Sequence, residues 1–281
     1  MATKTAISSN KKSTNEKPQA STIVEATTSS TGLTASYETF CKKLKKTPLV
    51  GAIVAEFIGT FLLVASVFAV QGQPLYVAFV LIAIVLLVGN ISGAYVNPAM
   101  TLGAWITRKI KGIQALGYVF GEVLGAVAAW ATLNAFLHGS TTATSTTALY
   151  HAASVTSGKE WVMFFAELLG ALILALGLAA AIRIKKANIT SAFTYGFAIL
   201  IALLVAGWVT SMSLTESNTS LSFLNPAIAI AANGLSWKMW PIAIYIIAPI
   251  IGGVIGFAIQ DFLKSQTTED SSCDCTCCET K

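Results

Sequence analysis

The sequence predicts an all-α membrane protein with six transmembrane helices and two re-entrant half-helices, arranged as an inverted repeat. Three observations lead to this fold class. The composition is apolar with little charge, six apolar stretches are long enough to cross a bilayer, and each half of the chain carries one Asn-Pro-Ala tripeptide.

The composition by itself indicates a membrane protein. The chain has 281 residues, of which 54% are hydrophobic and 11% charged, and its mean hydropathy is +0.69. A soluble domain of this size needs more charge to cover its surface. The net charge of +5 comes from short basic clusters beside apolar stretches, a pattern typical of topology signals. We therefore expect membrane lipid, and no nucleic acid, as a partner.

Six apolar stretches account for most of the chain. Each approaches or exceeds the roughly 20 residues that a helix needs to cross the hydrocarbon layer, and none contains Lys or Arg. Lipid offers no hydrogen-bond partner to a bare peptide group, so such stretches must be helices. The predicted spans are Pro48–Val70, Pro74–Ile91, Gly112–Leu137, Trp161–Ile182, Ser191–Thr210 and Pro241–Leu263.

The basic residues predict the orientation. They concentrate before the first span and in the connections after spans two and four, whereas the only basic residues in the other connections are Lys159 and Lys238. Basic residues prefer the cytoplasmic side of a membrane. We therefore expect an integral multi-pass protein with both termini in the cytoplasm. The basic residues concerned are Lys42, Lys43, Lys45, Lys46, Arg108, Lys109, Lys111, Arg183, Lys185 and Lys186.

An internal repeat relates the two halves. Ala55-Glu56 in the first span recurs as Ala166-Glu167 in the fourth, and each copy is followed by an Asn-Pro-Ala: Asn97-Pro98-Ala99 in the first half, Asn225-Pro226-Ala227 in the second. Three spans per half is an odd number, so the two halves have opposite orientations in the membrane. Proteins built from inverted repeats place their pathway where the repeats meet.

Each Asn-Pro-Ala precedes an apolar run too short to cross the membrane, Met100–Ile106 or Ile228–Ala232. Proline fits the first turn of a helix, Asn before it is a good N-cap, and Ala permits close approach. A single tripeptide would be explained by an ordinary capped helix. Two copies in an inverted repeat instead favour two half-helices whose N-termini meet near the midplane.

This arrangement predicts a barrier against charge at the pore centre. The positive ends of both helix dipoles oppose cations and hydronium. The side-chain amides of Asn97 and Asn225 can donate to a passing water oxygen and occupy its lone pairs. Such a water cannot readily accept a proton from its neighbour, so neutral molecules pass and charge does not.

Two carboxylates are predicted inside the spans, Glu56 and Glu167. Ionisable residues in a membrane often belong to a proton relay. We favour a structural role, because each lies at the same place in its repeat and can accept hydrogen bonds from the nearby re-entrant loop. For Glu122 in span three, a structural role and a contact with the pore both remain open.

These residues together resemble the major intrinsic protein family, the aquaporins and glycerol facilitators, over roughly Val50 to Leu263. The resemblance implies an aquaporin-like bundle with one pore per subunit and a homotetramer. It rests on Ala55-Glu56-Phe57, Ser92-Gly93-Ala94-Tyr95-Val96-Asn97-Pro98-Ala99, Ala166-Glu167-Leu168, Asn225-Pro226-Ala227 and Pro249-Ile250-Ile251-Gly252.

The domain organisation follows from the tails that flank these repeats. Residues 1–47, rich in Ser, Thr, Asn and Lys, are expected to form a disordered cytoplasmic tail. Residues 48–264 form the predicted channel domain, with a first repeat at 48–137 and a second at 161–264. Residues 265–281 form a cytoplasmic tail whose cysteines could bind a soft metal, carry palmitate or sense redox state.

The predicted selectivity filter departs from the family pattern. An Arg usually follows the second Asn-Pro-Ala, and here that position is Ile228. The resemblance assigns the other filter positions to Val77, with Phe79 two residues away, to Leu203 and to Ser222. Tyr95 also replaces the His that is usual in the first loop. We therefore expect an apolar constriction without a fixed positive charge.

The predicted function is a passive channel for water and other small neutral solutes. An apolar neck could slow water, or its shorter side chains could admit glycerol, urea, ammonia or hydrogen peroxide instead. A secondary transporter and a poorly conducting junction or scaffold protein are the remaining alternatives. The spans contain no metal-ligand cluster, nucleophile with a base, or phosphate loop. We therefore expect no catalytic residue, metal site or cofactor.

Overall fold

The computed structural model describes residues 48–139, 157–184, 187–211, 222–232 and 238–269, excluding the side chains of residues 138–139 and 267–269. The predicted N-terminal tail and residues 270–281 lie outside these ranges. The last helix continues to Glu269, into the segment that we assigned to the C-terminal tail.

Every regular element among the described residues is a helix, as the sequence predicts. Six are long and apolar enough to cross a membrane. The two short helices that begin at Pro98 and Pro226 are the predicted half-helices. In chain order the helices are α1 (Pro48–Ala69), α2 (Pro74–Ser92), α3 (Pro98–Ile106), α4 (Gly112–Gly139), α5 (Glu160–Ala181), α6 (Ile189–Ser211), α7 (Pro226–Ala231), α8 (Met239–Ile242) and α9 (Ala248–Glu269).

The sixth span contains an irregularity that the sequence did not predict. Its α-helical ends, α8 and α9, are joined by a π-helical turn at Ala243–Ile247. One extra residue in a helical turn rotates the side chains on either side of it, and π turns are frequent at functional sites. Tyr245 lies in this turn and is buried.

The packing follows the inverted repeat. In the first half α1 packs against α2 and α4, and in the second half α5 packs against α6 and α9. Contacts between α2 and α6 join the halves. Each half-helix also packs on the last span of the opposite half, α3 against α9 and α7 against α4. The half-helices thus tie the two repeats together.

Close backbone contacts occur at equivalent places in both halves. A Cβ atom on Gly125 of α4 would lie 2.4 Å from the carbonyl oxygen of Phe57 in α1. A Cβ atom on Gly252 of α9 would lie 2.2 Å from the carbonyl oxygen of Leu168 in α5. Small residues allow membrane helices to approach this closely, which increases the van der Waals contact between them.

A polar cluster marks one end of the bundle, which we call the basic end. The Asp261 carboxylate on α9 accepts from Lys109, which follows α3, and from Arg183, which follows α5, at 2.5 and 3.2 Å. Arg183 also donates to the carbonyl of Gln260. Partly exposed ion pairs contribute little stability, so this cluster mainly fixes the connections against the last helix.

The glycine contact gives a test of this packing. We expect Gly252→Ala to lower the stability of the protein by about 1–3 kcal/mol, because the new methyl group would force backbone atoms apart. Gly207→Ala on α6 is the matched control, since a Cβ atom there meets nothing within 4 Å. The measurement is the unfolding temperature of each purified variant in detergent. Equal unfolding temperatures for the two variants would contradict the packing described.

Candidate pore

The two Asn-Pro-Ala tripeptides form matching helix starts. Asn97 precedes α3 in an extended conformation, and its Oδ1 accepts from the Ala99 N–H at 2.9 Å. Asn225 precedes α7 in the same way and accepts from the Ala227 N–H, also at 2.9 Å. Each tripeptide thus caps its own half-helix with the Asn side chain and begins it with proline.

The Asn side chains also link the two loops. Asn97 Nδ2 donates to the Leu224 carbonyl at 2.8 Å, and Asn225 Nδ2 donates to the Val96 carbonyl at 2.9 Å. The sequence predicts that these amide groups donate to a passing water molecule. Each Nδ2 carries two hydrogens, so the crossed bonds use one and leave the other. The bonds also hold the starts of α3 and α7 against each other.

The residues that supply these carbonyls have an unusual backbone conformation. Val96 has φ 45° and Leu224 has φ 56°. A β-branched residue such as Val rarely adopts positive φ, and such strain persists only where the surroundings hold it in place. Here each loop is held by the crossed bond and by a buried carboxylate.

Glu56 and Glu167 are those carboxylates, and both are fully buried. Glu56 accepts from the N–H groups of Tyr95 and Val96 at 3.0 and 2.6 Å. Glu167 accepts from the N–H groups of Phe223 and Leu224 at 2.6 and 2.7 Å. Neither loop has a helical partner for these donors, so the carboxylates satisfy groups that would otherwise be costly to bury.

Glu122 of α4 supports only the first loop. Its Oε1 accepts from the Asn97 N–H at 3.1 Å and from the Thr101 hydroxyl at 2.6 Å. When Gly125 of α4 is aligned with Gly252 of α9, Pro249 takes the place of Glu122 in the second half. The two half-helices are therefore supported differently, although their starts are alike.

The four predicted filter residues lie together around one narrow cavity, which we call the neck. It lies at the end of the bundle opposite the basic end, and its volume is about 20 Å³. No Lys, Arg, His, Asp or Glu is among its described lining residues, and Ser222 provides the only side-chain hydroxyl. The lining consists of Val67, Gly72, Val77, Ile199, Leu203, Ser222, Phe223 and Ile228.

The aromatic residue of the neck is Phe223, which the sequence analysis missed. Val77 is buried at the neck, whereas Phe79 is 54% exposed on the outside of the bundle. The ring of Phe223 packs on Tyr245 of the π turn with 5.3 Å between centroids. Aligning the two loops on their Asn residues pairs Phe223 with Tyr95, a signal that the sequence already contained.

A larger cavity, which we call the vestibule, opens at the basic end. Its volume is about 210 Å³, and both polar and apolar residues line it. Tyr95, two residues before Asn97, is part of the lining. The full set is Val85, Gly89, Asn90, Ser92, Gly93, Tyr95, Leu178, Ala181, Ile182, Ile184, Ala187, Ser191 and Tyr195.

Among the described residues, His, Cys, Asp and Glu side chains do not form a group of three or more that could hold a metal ion. The Cys-rich segment near the C-terminus lies outside the described residues.

Comparison with known proteins identifies the family. The sequence model described as "Major intrinsic protein" matches residues 71–260. Aquaporin AqpM of Methanothermobacter thermautotrophicus is 30% identical over 198 residues, which cover 67% of this chain and 74% of that protein. Glycerol uptake facilitator protein-like 6 of Lactiplantibacillus plantarum is 29% identical, and the alignment covers 72% of this chain and 93% of that protein.

The fold is also found among solved structures. The X-ray structure of the aquaglyceroporin from Plasmodium falciparum superposes with a TM-score of 0.61 at 19% sequence identity, covering 79% of this chain and 99% of that one. This similarity confirms the predicted all-α fold of six spans and two half-helices. The family model matches residues 71–260, and Aquaporin AqpM is 30% identical over 67% of this chain. The chain therefore belongs to the major intrinsic protein family.

Proposed function

We propose that this protein is a passive transmembrane channel for water and other small neutral solutes, and that it excludes ions and protons at the paired half-helices. One observation carries the proposal. The starts of α3 and α7 are joined by crossed Asn hydrogen bonds, between a vestibule at one end of the bundle and a narrow neck at the other. The relatives named aquaporin and glycerol uptake facilitator support it.

The barrier to charge lies at the Asn pair. Asn97 and Asn225 each keep one amide hydrogen that the crossed bonds do not use, and this hydrogen can orient a passing water molecule. Pro98 and Pro226 start the half-helices, and Ala99 and Ala227 keep the two starts close. The helix dipoles place positive potential at the same point, which opposes cations.

The neck acts as the selectivity filter in this proposal. A volume of about 20 Å³ suits roughly one water molecule, which needs ~10–15 Å³ by this measure. Val77, Leu203 and Ile228 offer a solute no hydrogen bond, so a water molecule there relies on Ser222 and on backbone groups. The size of the neck favours water over glycerol, and the missing positive charge weakens the barrier against small cations.

The buried carboxylates support the loops and do not relay protons. Glu56 and Glu167 use both oxygens on backbone N–H groups. A carboxylate committed in this way holds a fixed shape, which keeps the strained residues before each Asn in place. Glu122 has the same kind of role toward Asn97 and Thr101.

The remaining parts of the proposal follow from charge and from family membership. The basic end faces the cytoplasm, because Lys109 and Arg183 lie there, and both termini lie on that side. The channel domain spans residues 48–264 between two cytoplasmic tails. We further propose a homotetramer with one pore per subunit, embedded in lipid. No catalytic residue, metal or cofactor takes part.

Transport by the purified protein is the direct test. We expect liposomes that contain the full chain to shrink faster than empty liposomes in a hyperosmotic jump, measured by stopped-flow light scattering, with a lowered activation energy for water flow. Parallel gradients of glycerol, urea, ammonia and hydrogen peroxide rank the other solutes. Permeability equal to that of empty liposomes for every solute would instead favour a scaffold protein of the same fold.

The identity of residue 228 tests the filter. We expect Ile228→Arg to reduce the permeability for glycerol and urea relative to water, because a long charged side chain narrows the neck and supplies hydrogen-bond donors. Ile228→Leu keeps the neck apolar and is the matched control. The readout is the ratio of solute to water permeability in the same liposomes. An unchanged ratio in Ile228→Arg would mean that the selectivity filter lies elsewhere in the pore.

Glu122 offers a test of the structural role. Glu122→Gln retains an oxygen that can accept from Asn97 and Thr101, so we expect near-normal stability and permeability. Glu122→Leu leaves those two donors buried without a partner, at a cost of about 1–3 kcal/mol for each. Thermal unfolding and water permeability are both measured. If Glu122→Gln abolished transport while the fold stayed intact, the negative charge itself would be required.

A further inference from the structure

The inverted repeat places one aromatic residue at the same position in each loop. Tyr95 lies two residues before Asn97, and Phe223 lies two residues before Asn225. The backbone N–H of each donates to the buried carboxylate of its own half. Tyr95 lines the vestibule, and Phe223 lines the neck. The central Asn pair therefore has an aromatic ring on either side.

The ring of Tyr95 is held firmly. It packs against Tyr118 of α4 with 5.7 Å between centroids and 51° between the ring planes. It also lies against Gly93, where a Cβ atom would come within 2.9 Å of the Tyr95 ring. The Tyr95 carbonyl accepts from the Tyr195 hydroxyl at 3.2 Å. Both the backbone and the ring are thus fixed by neighbours.

The hydroxyl of Tyr95 differs from those of its two neighbours. Tyr118 donates its hydroxyl to the Ser92 carbonyl at 2.9 Å, and Tyr195 donates to Tyr95. Among the described residues, no hydrogen bond uses the Tyr95 hydroxyl, although Tyr95 is only 4% exposed. A phenol so nearly enclosed normally has a partner. Tyr95 lines the vestibule, so a solute there is available as a partner.

We infer that the Tyr95 hydroxyl is a second selectivity element of the channel, exchanging hydrogen bonds with the solute between the vestibule and Asn97. This inference rests on the proposed channel function. The two sides of the Asn pair then differ in chemistry, because Tyr95 supplies both a donor and an acceptor where Phe223 supplies only an apolar ring. The solutes served are small neutral molecules with hydrogen-bonding groups, and the hydroxyl offsets part of their dehydration.

Removing the hydroxyl alone tests the inference. We expect Tyr95→Phe to lower water permeability per channel by about two- to tenfold, because the variant loses about one hydrogen bond to the passing water molecule. We also expect it to raise the activation energy of water flow. Tyr118→Phe is the matched control, because that hydroxyl is committed to the Ser92 carbonyl; its permeability should stay close to that of the unmodified chain. Thermal unfolding of all three proteins verifies that the fold is intact.

A second measurement does not depend on transport. In Tyr95→Cys the new thiol should react with a small membrane-impermeant methanethiosulfonate at least about tenfold faster than the thiol of Tyr118→Cys, because only position 95 borders the vestibule. Mass spectrometry locates the label, which separates it from labels on the native cysteines.

The outcomes separate the two hypotheses. If the unmodified chain conducts water and Tyr95→Phe conducts equally well, the inference is overturned while the channel function stands. If the unmodified chain conducts nothing, the proposed function fails and the inference fails with it. Equal labelling rates at positions 95 and 118 would also overturn the inference, whatever the transport result.

Discussion

The crossed hydrogen bonds between Asn97 and Asn225 and the opposite loops are the constraint on which the rest of the pore depends. They join two segments that are more than one hundred residues apart, and they connect two strained backbone turns at Val96 and Leu224. Such strained turns persist only where their surroundings hold them in place. Each is held by the carboxyl group of Glu56 or Glu167 behind it, and that carboxyl group in turn needs the loop N–H groups, since a buried polar group without partners would be costly. The resulting network is closed and leaves little freedom to either half-helix.

This network explains why the half-helices pack as they do. Each half-helix lies on the last span of the other repeat, so a shift of one repeat would break the contacts of both. Close glycine contacts between α1 and α4, and between α5 and α9, keep the surrounding spans near enough to hold the loops. The same symmetry leaves room for differences. Glu122 supports Asn97 and Thr101 in the first half, whereas the aligned position in the second half is Pro249, whose side chain cannot form a hydrogen bond.

The differences between the halves give the proposed pore its direction. At the basic end the path begins in a roomy vestibule with several polar groups, and at the other end it narrows to a neck with one hydroxyl and an aromatic ring. A solute would therefore exchange most of its water at the vestibule side and meet an almost wholly apolar passage at the neck. Rejection of charge would then depend on the Asn pair and the helix dipoles, because Ile228 supplies no cation at the constriction.

The amino-acid sequence by itself determined the class of fold, and it predicted a pore centre at the two Asn-Pro-Ala tripeptides. Three local properties of the chain sufficed: the length of the apolar stretches, the distribution of Lys and Arg, and the duplicated Glu and Asn-Pro-Ala positions. The spacing of a known family pattern also predicted filter positions at Val77, Leu203, Ser222 and Ile228. Only the tertiary structure decided the crossed Asn bonds, the presence of Phe223 in the neck, the exclusion of Phe79 from it, and the π turn behind Phe223. These features depend on the positive φ of the loop residues and on contacts between the two halves. Such long-range geometry fixes where a side chain points, and a pattern of hydrophobic and polar residues along the chain does not contain it.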